Sequence, residues 1–150
     1  WYSPGSGADT LWIGNAGQRG QTSFSKSSLA VTASYVPIVG DFSGDDYDDI
    51  LWYRPGTGGD VLWTSVPGSA HFSATALTIN GTFYPYVLHD YTGAGRKDDI
   101  LWYVPGTGKD YLWHFAEDGS GYATKNLTIN GTFQMILGDW NADRLEDLVL

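Results

Sequence analysis

The sequence predicts an all-β protein built from a repeated unit, and three observations predict it. Aromatic residues make up 15 % of the 150 residues and glycines number 20, a composition that suits strands and tight turns better than helices. A block of about fifty residues recurs in one register. Each block breaks into four short apolar segments separated by turn chemistry.

The repeat is read directly. Asp-Asp-Ile-Leu-Trp-Tyr beginning at Asp48 returns at Asp98, Pro-Gly-Thr-Gly at Pro55 returns at Pro105, and Leu-Thr-Ile-Asn-Gly-Thr-Phe at Leu77 returns at Leu127. Trp1 to Gly7 is a divergent copy of Trp52 to Gly58, and Leu11-Trp12 of Leu62-Trp63. Gly138 to Leu150 matches Gly40 to Trp52, the part that the N-terminal copy lacks. The units run over about 1–47, 48–97 and 98–146, with 147–150 completing the first, in one domain over 1–150.

Taking the central unit in order, the first strand is expected over Val36 to Val39 and the second over Ile50 to Tyr53. The third is expected over Val61 to Trp63 and the fourth over Ala74 to Ile79. Pro55-Gly56-Thr57-Gly58 makes a hairpin of the second and third, because proline presets one φ and glycine tolerates positive ones. That hairpin is expected to set Trp52 across from Trp63. Asn80-Gly81-Thr82 reads as the crossing to the next unit. Ile50-Leu51-Trp52-Tyr53 is apolar on both faces, which suits a sheet packed between neighbours.

Four strands in about fifty residues is the size of a propeller blade. The expected fold is therefore a β-propeller of four-stranded antiparallel blades, three per chain. Closed propellers usually hold about four to eight blades, so the ring is expected to be completed by oligomerisation. A homodimer is favoured and a homotrimer is possible; the alternative is a fragment of a longer propeller. In an oligomer, Trp1-Tyr2 and Leu148-Val149-Leu150 should share or adjoin strand positions.

The net charge of −9 and only eight Lys and Arg exclude a nucleic-acid partner as the expected one, since phosphate binding needs a basic face. Without cysteine there is no disulfide, zinc-thiolate or thiol chemistry. No apolar stretch approaches a membrane span, and the N-terminal residues lack the basic-then-apolar pattern of a leader.

The acidic loops carry the chemistry. Between the first two strands, Asp41 to Asp49 places oxygen-bearing side chains at Asp41, Ser43, Asp45 and Asp49, with the Tyr47 carbonyl as a fifth donor. Calcium prefers six to eight hard oxygen ligands, which a curled loop presents from alternate positions. The last copy repeats the pattern with Asp139, Asn141, Asp143, the Leu145 carbonyl and Asp147. The middle copy offers Asp90, Thr92 and Asp99 but is one residue longer, carries Ala94 in place of a carboxylate and adds Arg96 and Lys97. It is expected to bind weakly or stay empty. The competing reading is that Asp, Ser, Asn and Gly serve only as turn residues. An EF-hand is excluded, because the loop has no glycine at its sixth position and no glutamate at the twelfth.

These loops, each followed by an apolar strand, resemble the FG-GAP or VCBS repeats of integrin α-subunit propellers and secreted bacterial proteins. The resemblance covers essentially the whole chain. It implies a structural calcium ion at the blade edge and an extracellular setting. Asp46 and Arg144 depart from the family pattern, standing where glycine is usual.

No catalytic constellation emerges. His71, His89 and His114 occupy unrelated places in the repeat, and the paired carboxylates belong to the metal loops. The expectation is a non-catalytic calcium-binding module that self-assembles and binds a ligand, a glycan being the candidate, through Tyr2, Trp12, Tyr53, Trp63, Tyr103 and Trp113. The alternative is a scaffold with no ligand of its own. Burial of those aromatics between blades would tell against the glycan.

Overall fold

The computed structural model describes residues 1–15, 23–56, 58–89, 97–106, 108–116, 121–143 and 145–150. Among them there is no helix, and twelve strands form antiparallel sheets without closing a barrel. β3 (Val36–Gly40), β4 (Asp49–Tyr53), β5 (Asp60–Ser65) and β6 (Phe72–Leu77) make one four-stranded meander. β7 (Tyr84–Leu88), β8 (Asp99–Tyr103), β9 (Asp110–Phe115) and β10 (Tyr122–Leu127) make the second. β1 (Asp9–Asn15) pairs with β2 (Ser23–Leu29), and β11 (Ile136–Gly138) with β12 (Asp147–Val149), as two-stranded sheets. The four-stranded unit is thus complete twice, and its two halves stand apart at either end of the sequence.

The turns follow the sequence chemistry. Gly56 and Gly58 take φ of 79° and 63°, and a Cβ on Gly58 would meet the Asn80 side-chain oxygen at 2.7 Å. Trp52 and Trp63 do not stand directly opposite each other. The register pairs Trp52 with Val61 and Ile50 with Trp63, so the two rings meet diagonally, edge to face, at 5.3 Å. Side chains in successive positions alternate faces, and only the diagonal keeps both rings in contact on one face.

The main core joins the two four-stranded sheets. Leu51, Tyr53, Ile100 and Trp102 are sealed within it together with Ile38, Phe42 and Phe115. Phe42 meets Phe115 at 5.1 Å, and Tyr53 meets Trp102 edge to face at 5.1 Å. Apolar burial of this kind supplies the main favourable term, and aromatic side chains contribute the most area per residue.

Two polar devices recur and fix the turns. Asp60 is buried at the start of β5, where its carboxylate accepts the Arg54 N–H and the Ile79 N–H, both at 2.7 Å. Asp110 does the same for Val104 and Ile129 at 2.8 Å, and Asp9 for Ser3 at 2.7 Å and Val31 at 2.8 Å. Each carboxylate therefore ties the hairpin before its strand to the segment leaving the next one. The Tyr53 hydroxyl donates to the Gly81 carbonyl at 2.8 Å and accepts the Phe83 N–H at 2.9 Å. Tyr103 repeats this with Gly131 and Phe133, and Tyr2 with Ala33 and Tyr35.

Candidate metal-binding loops

The first acidic loop leaves β3 at Gly40 and re-enters the sheet at Asp49. Its backbone is curled by left-handed residues: Gly44 has φ 78° and Asp46 φ 65°. Asp46 thus adopts the conformation that glycine usually takes at this place, one that aspartate tolerates better than most side chains. The curl turns backbone N–H groups onto the carboxylates. Asp41 Oδ1 accepts from Gly44 at 2.6 Å and Asp45 at 3.2 Å, and its Oδ2 accepts from Asp46 at 2.8 Å. Asp45 Oδ1 accepts the Tyr47 N–H at 3.0 Å. Asp49, fully buried, accepts the Ser43 N–H and the Ser65 N–H, both at 2.8 Å. Ser43 Oγ lies 3.4 Å from Asp41 Oδ1.

The loop concentrates negative charge around the one buried carboxylate, that of Asp49. Burial pushes the Asp49 carboxyl above its ordinary range, and the charges of Asp45 and Asp41 push it the same way, against the two N–H donors. Among the described residues, no three His, Cys, Asp or Glu side chains are gathered closely enough to hold a metal ion as the loop stands. The expected donor set is only partly of those types, since Ser43 and the Tyr47 carbonyl belong to it. Its chemistry is all hard oxygen and its carboxylates repel one another, so a divalent cation such as calcium fits it.

The last loop, between β11 and β12, repeats several of these links. Asp139 Oδ1 accepts the Asp143 N–H at 3.1 Å, and Asp143 Oδ1 accepts the Leu145 N–H at 2.9 Å. The second of these reproduces the link from Tyr47 to Asp45. Asn141 bonds Asp143 twice, through its own oxygen and its Nδ2, each at 2.9 Å. Ala142 takes φ 60° at the place of Gly44. Asp147 accepts the Trp140 N–H at 3.0 Å, one residue earlier than the Ser43 that serves Asp49. This loop is exposed where the first is partly covered. Arg144 lies outside the described residues.

Of the middle loop, Asp90, Thr92, Ala94 and Arg96 lie outside the described residues. Asp99 is half-buried, accepting the Phe115 N–H at 3.2 Å and facing His114 Nδ1 at 3.0 Å. Its neighbours turn toward the first loop. Asp98 Oδ2 accepts the Asp41 N–H at 2.8 Å and also meets His89 Nδ1 at 3.0 Å, while the Asp98 N–H donates to the Asp41 carbonyl at 2.8 Å. The buried Lys97 side chain lies against Gly44. Sequence reasoning missed this bridge, and it set His89 and His114 aside as standing at unrelated places in the repeat. Their only sequence signal was an aspartate within reach across a strand or loop.

The six aromatics do not form a shared exposed platform. Tyr53, Tyr103 and Trp113 are buried. Tyr53 and Tyr103 are held by their hydroxyl bonds, and Trp113 stacks on Tyr122 at 3.9 Å. Trp63 is half-buried against Phe72 at 5.4 Å, and Tyr2 is half-buried against Trp52 at 5.0 Å. Trp12 alone of the six is exposed, with the Lys26 ammonium 4.2 Å above its ring. The large ring interiors serve packing, which is the ordinary use of repeated tryptophan and tyrosine.

No protein-family model, curated protein or solved structure matches the chain.

Proposed function

We infer that the chain is a non-catalytic, calcium-binding β-propeller module of three blade units whose ring closes by self-association, with assembly as its main output. The observation that carries the metal reading is the matched pair of loops. In each, an aspartate at the fifth position accepts the N–H of the residue two further on, Tyr47 to Asp45 and Leu145 to Asp143, although the intervening residues differ. That link alone is an ordinary Asx-turn and needs no ligand; what favours a shared ion is that side-chain oxygens recur at the first, third, fifth and ninth places of both loops while the residues between them differ. Asp41, Ser43, Asp45, Asp49 and the Tyr47 carbonyl would hold one ion, and Asp139, Asn141, Asp143, Asp147 and the Leu145 carbonyl the other. Bound calcium would neutralise the carboxylates and hold each loop to its sheet.

The propeller arrangement is supported by the meander order of both four-stranded sheets and by the packing of β3 against β7. A scaffold role is preferred to glycan binding because Tyr53, Tyr103 and Trp113 are buried. An extracellular setting, where calcium is plentiful, suits the module.

Calorimetry tests the metal reading. The intact chain should bind about two calcium ions, one per complete loop, and Asp45→Ala combined with Asp143→Ala should abolish most of the heat. Unchanged binding in the double variant would reject the ligand assignment.

A further inference from the structure

The packing between the two complete sheets has an unfilled counterpart elsewhere in the chain. β11–β12 repeats β3–β4: the pair Ile136–Val149 stands where Ile38–Leu51 stands. Phe42, Ile38 and Leu51 are 2 %, 5 % and 0 % exposed, whereas their equivalents Trp140, Ile136 and Val149 are 62 %, 55 % and 46 % exposed. So the hairpin carries the same packing face with nothing in the described chain laid on it.

The receiving side is equally well marked. In the interior, the loop after β3 is seated on three residues of the next sheet. Phe42 packs on Phe115 at 5.1 Å, the Asp41 N–H donates to Asp98 at 2.8 Å, and Gly44 lies on Lys97. The repeat carries Phe115, Asp98 and Lys97 onto Ser65, Asp48 and Tyr47. All three line one cleft of about 580 Å³ between the β1–β2 and β3–β6 sheets, together with Leu11 and Ile50. Here tryptophan would replace phenylalanine on one side and serine would replace phenylalanine on the other, so the larger ring offsets part of the volume that the serine gives up.

The strand edges agree. Trp1 exchanges two backbone bonds with Thr10, at 2.6 and 3.0 Å, the pairing that Trp52 makes with Val61. Beyond Thr10, β1 presents Leu11 and Trp12 on the same edge, and among the described residues β2 is the only strand paired with β1. By the register of Leu51–Leu62 and Ile50–Trp63, their partners would be Val149 and Leu148. Leu150 falls at the place Trp1 holds and must turn aside.

We propose that the cleft between the β1–β2 and β3–β6 sheets is the seat for the β11–β12 hairpin of a second copy of this chain, forming a shared four-stranded blade in the order β11–β12–β1–β2. This rests on the ring-closing reading above and adds its surfaces and register. Asp48 takes the Asp139 N–H of the incoming loop as Asp98 takes that of Asp41. The interface is heterologous, head to tail, so it closes a ring or grows a chain of copies. Six blades from two copies lie within the usual propeller range.

The chain has no cysteine, which gives a clean test. Because Trp1–Thr10 exchanges both bonds, the neighbouring Leu11–Val149 pair is non-hydrogen-bonded, where Cα atoms lie about 4.5 Å apart and a disulfide is accommodated. Leu11→Cys/Val149→Cys, oxidised in calcium, should run as a two-chain species without reductant, while Leu11→Cys/Leu148→Cys should not. The unmodified chain should be a dimer by native mass spectrometry, and Trp140→Ser should raise its dissociation constant at least about tenfold, as for loss of a buried aromatic anchor. A cross-link at single-chain mass would overturn the second copy in favour of the chain's own hairpin. An oligomer that neither cross-links nor responds to Trp140→Ser would overturn this seat and leave ring closure standing. A monomer at every concentration would overturn both.

Discussion

Removing Asp60 should unfasten one complete sheet. Its carboxylate is buried and satisfies two backbone N–H groups, of Arg54 and Ile79, at 2.7 Å each. Hydrogen bonds to a charged group contribute roughly 1.5–3 kcal/mol each, and a buried N–H left unpaired adds its desolvation. Asp60→Ala deletes both acceptors, so a loss of about 3–5 kcal/mol is expected, less than the sum because water enters the space left behind. At about 2–4 °C per kcal/mol for a chain of this size, the melting temperature should fall by about 6–20 °C. Asp60→Asn keeps one acceptor but turns an NH2 group toward the other N–H, and should lose about half as much. Asp110→Ala should lose as much as Asp60→Ala, because its two bonds are of the same kind and length. The assay is urea unfolding followed by tryptophan fluorescence, reading the midpoint at constant slope. A loss below about 1 kcal/mol for both alanine variants would refute the view that these carboxylates hold the hairpins.

Burial holds the Tyr53 hydroxyl above its ordinary pKa, and only the neutral phenol donates to the Gly81 carbonyl. Its contribution is fully present below about pH 10 and is lost as pH rises through the raised folded value; Tyr53→Phe should flatten that part of the alkaline stability profile, and an unchanged profile would count against the latch. Calcium should bind the Asp41–Asp49 loop more tightly than the Asp139–Asp147 loop in the dissociated chain. The first is held in place by the two hydrogen bonds between Asp98 and Asp41, so less ordering opposes binding there. Asp45→Ala should therefore remove the tighter phase in calorimetry and Asp143→Ala the weaker one, with equal or reversed affinities refuting the argument.

The sheets were legible because each strand and turn announces itself locally. The expected strands at Val36, Ile50 and Val61 begin within one residue of β3, β4 and β5, since apolar runs between Gly-rich turns leave little freedom. The fourth was expected at Ala74 to Ile79 and is found as Phe72–Leu77. Ile79 instead lies past the strand end, where its N–H is drawn onto Asp60. That shift comes from the carboxylate ties, which sequence reasoning passed over even though Gly-x-Asp-x-Leu-Trp occurs unchanged at Asp9, Asp60 and Asp110. An aspartate before a strand reads as a turn residue until its two acceptors are seen to reach separate backbone segments. The use of the aromatics was left open for a similar reason: their recurrence is visible in sequence, but which face of a sheet is covered depends on the neighbouring sheet.

The middle loop shows how a repeat position can exchange one task for another. Asp99 keeps the bond to the strand that Asp49 also makes, to Phe115 and Ser65 respectively, so the base of the loop is retained for the fold. The residues just before it face the neighbouring sheet: Asp98 binds Asp41 through both its backbone and its carboxylate, and Lys97 is buried against Gly44. Lys97 is buried with its aliphatic stem laid on Gly44 of the first loop. Its stem also covers the apolar contact, as long cationic side chains do. The equivalent residues of the central unit, Tyr47 and Asp48, are exposed and line the open cleft. The difference in burial between these two pairs follows from whether an acidic loop is seated on them, which links the acidic loops and the inter-sheet packing in one set of residues.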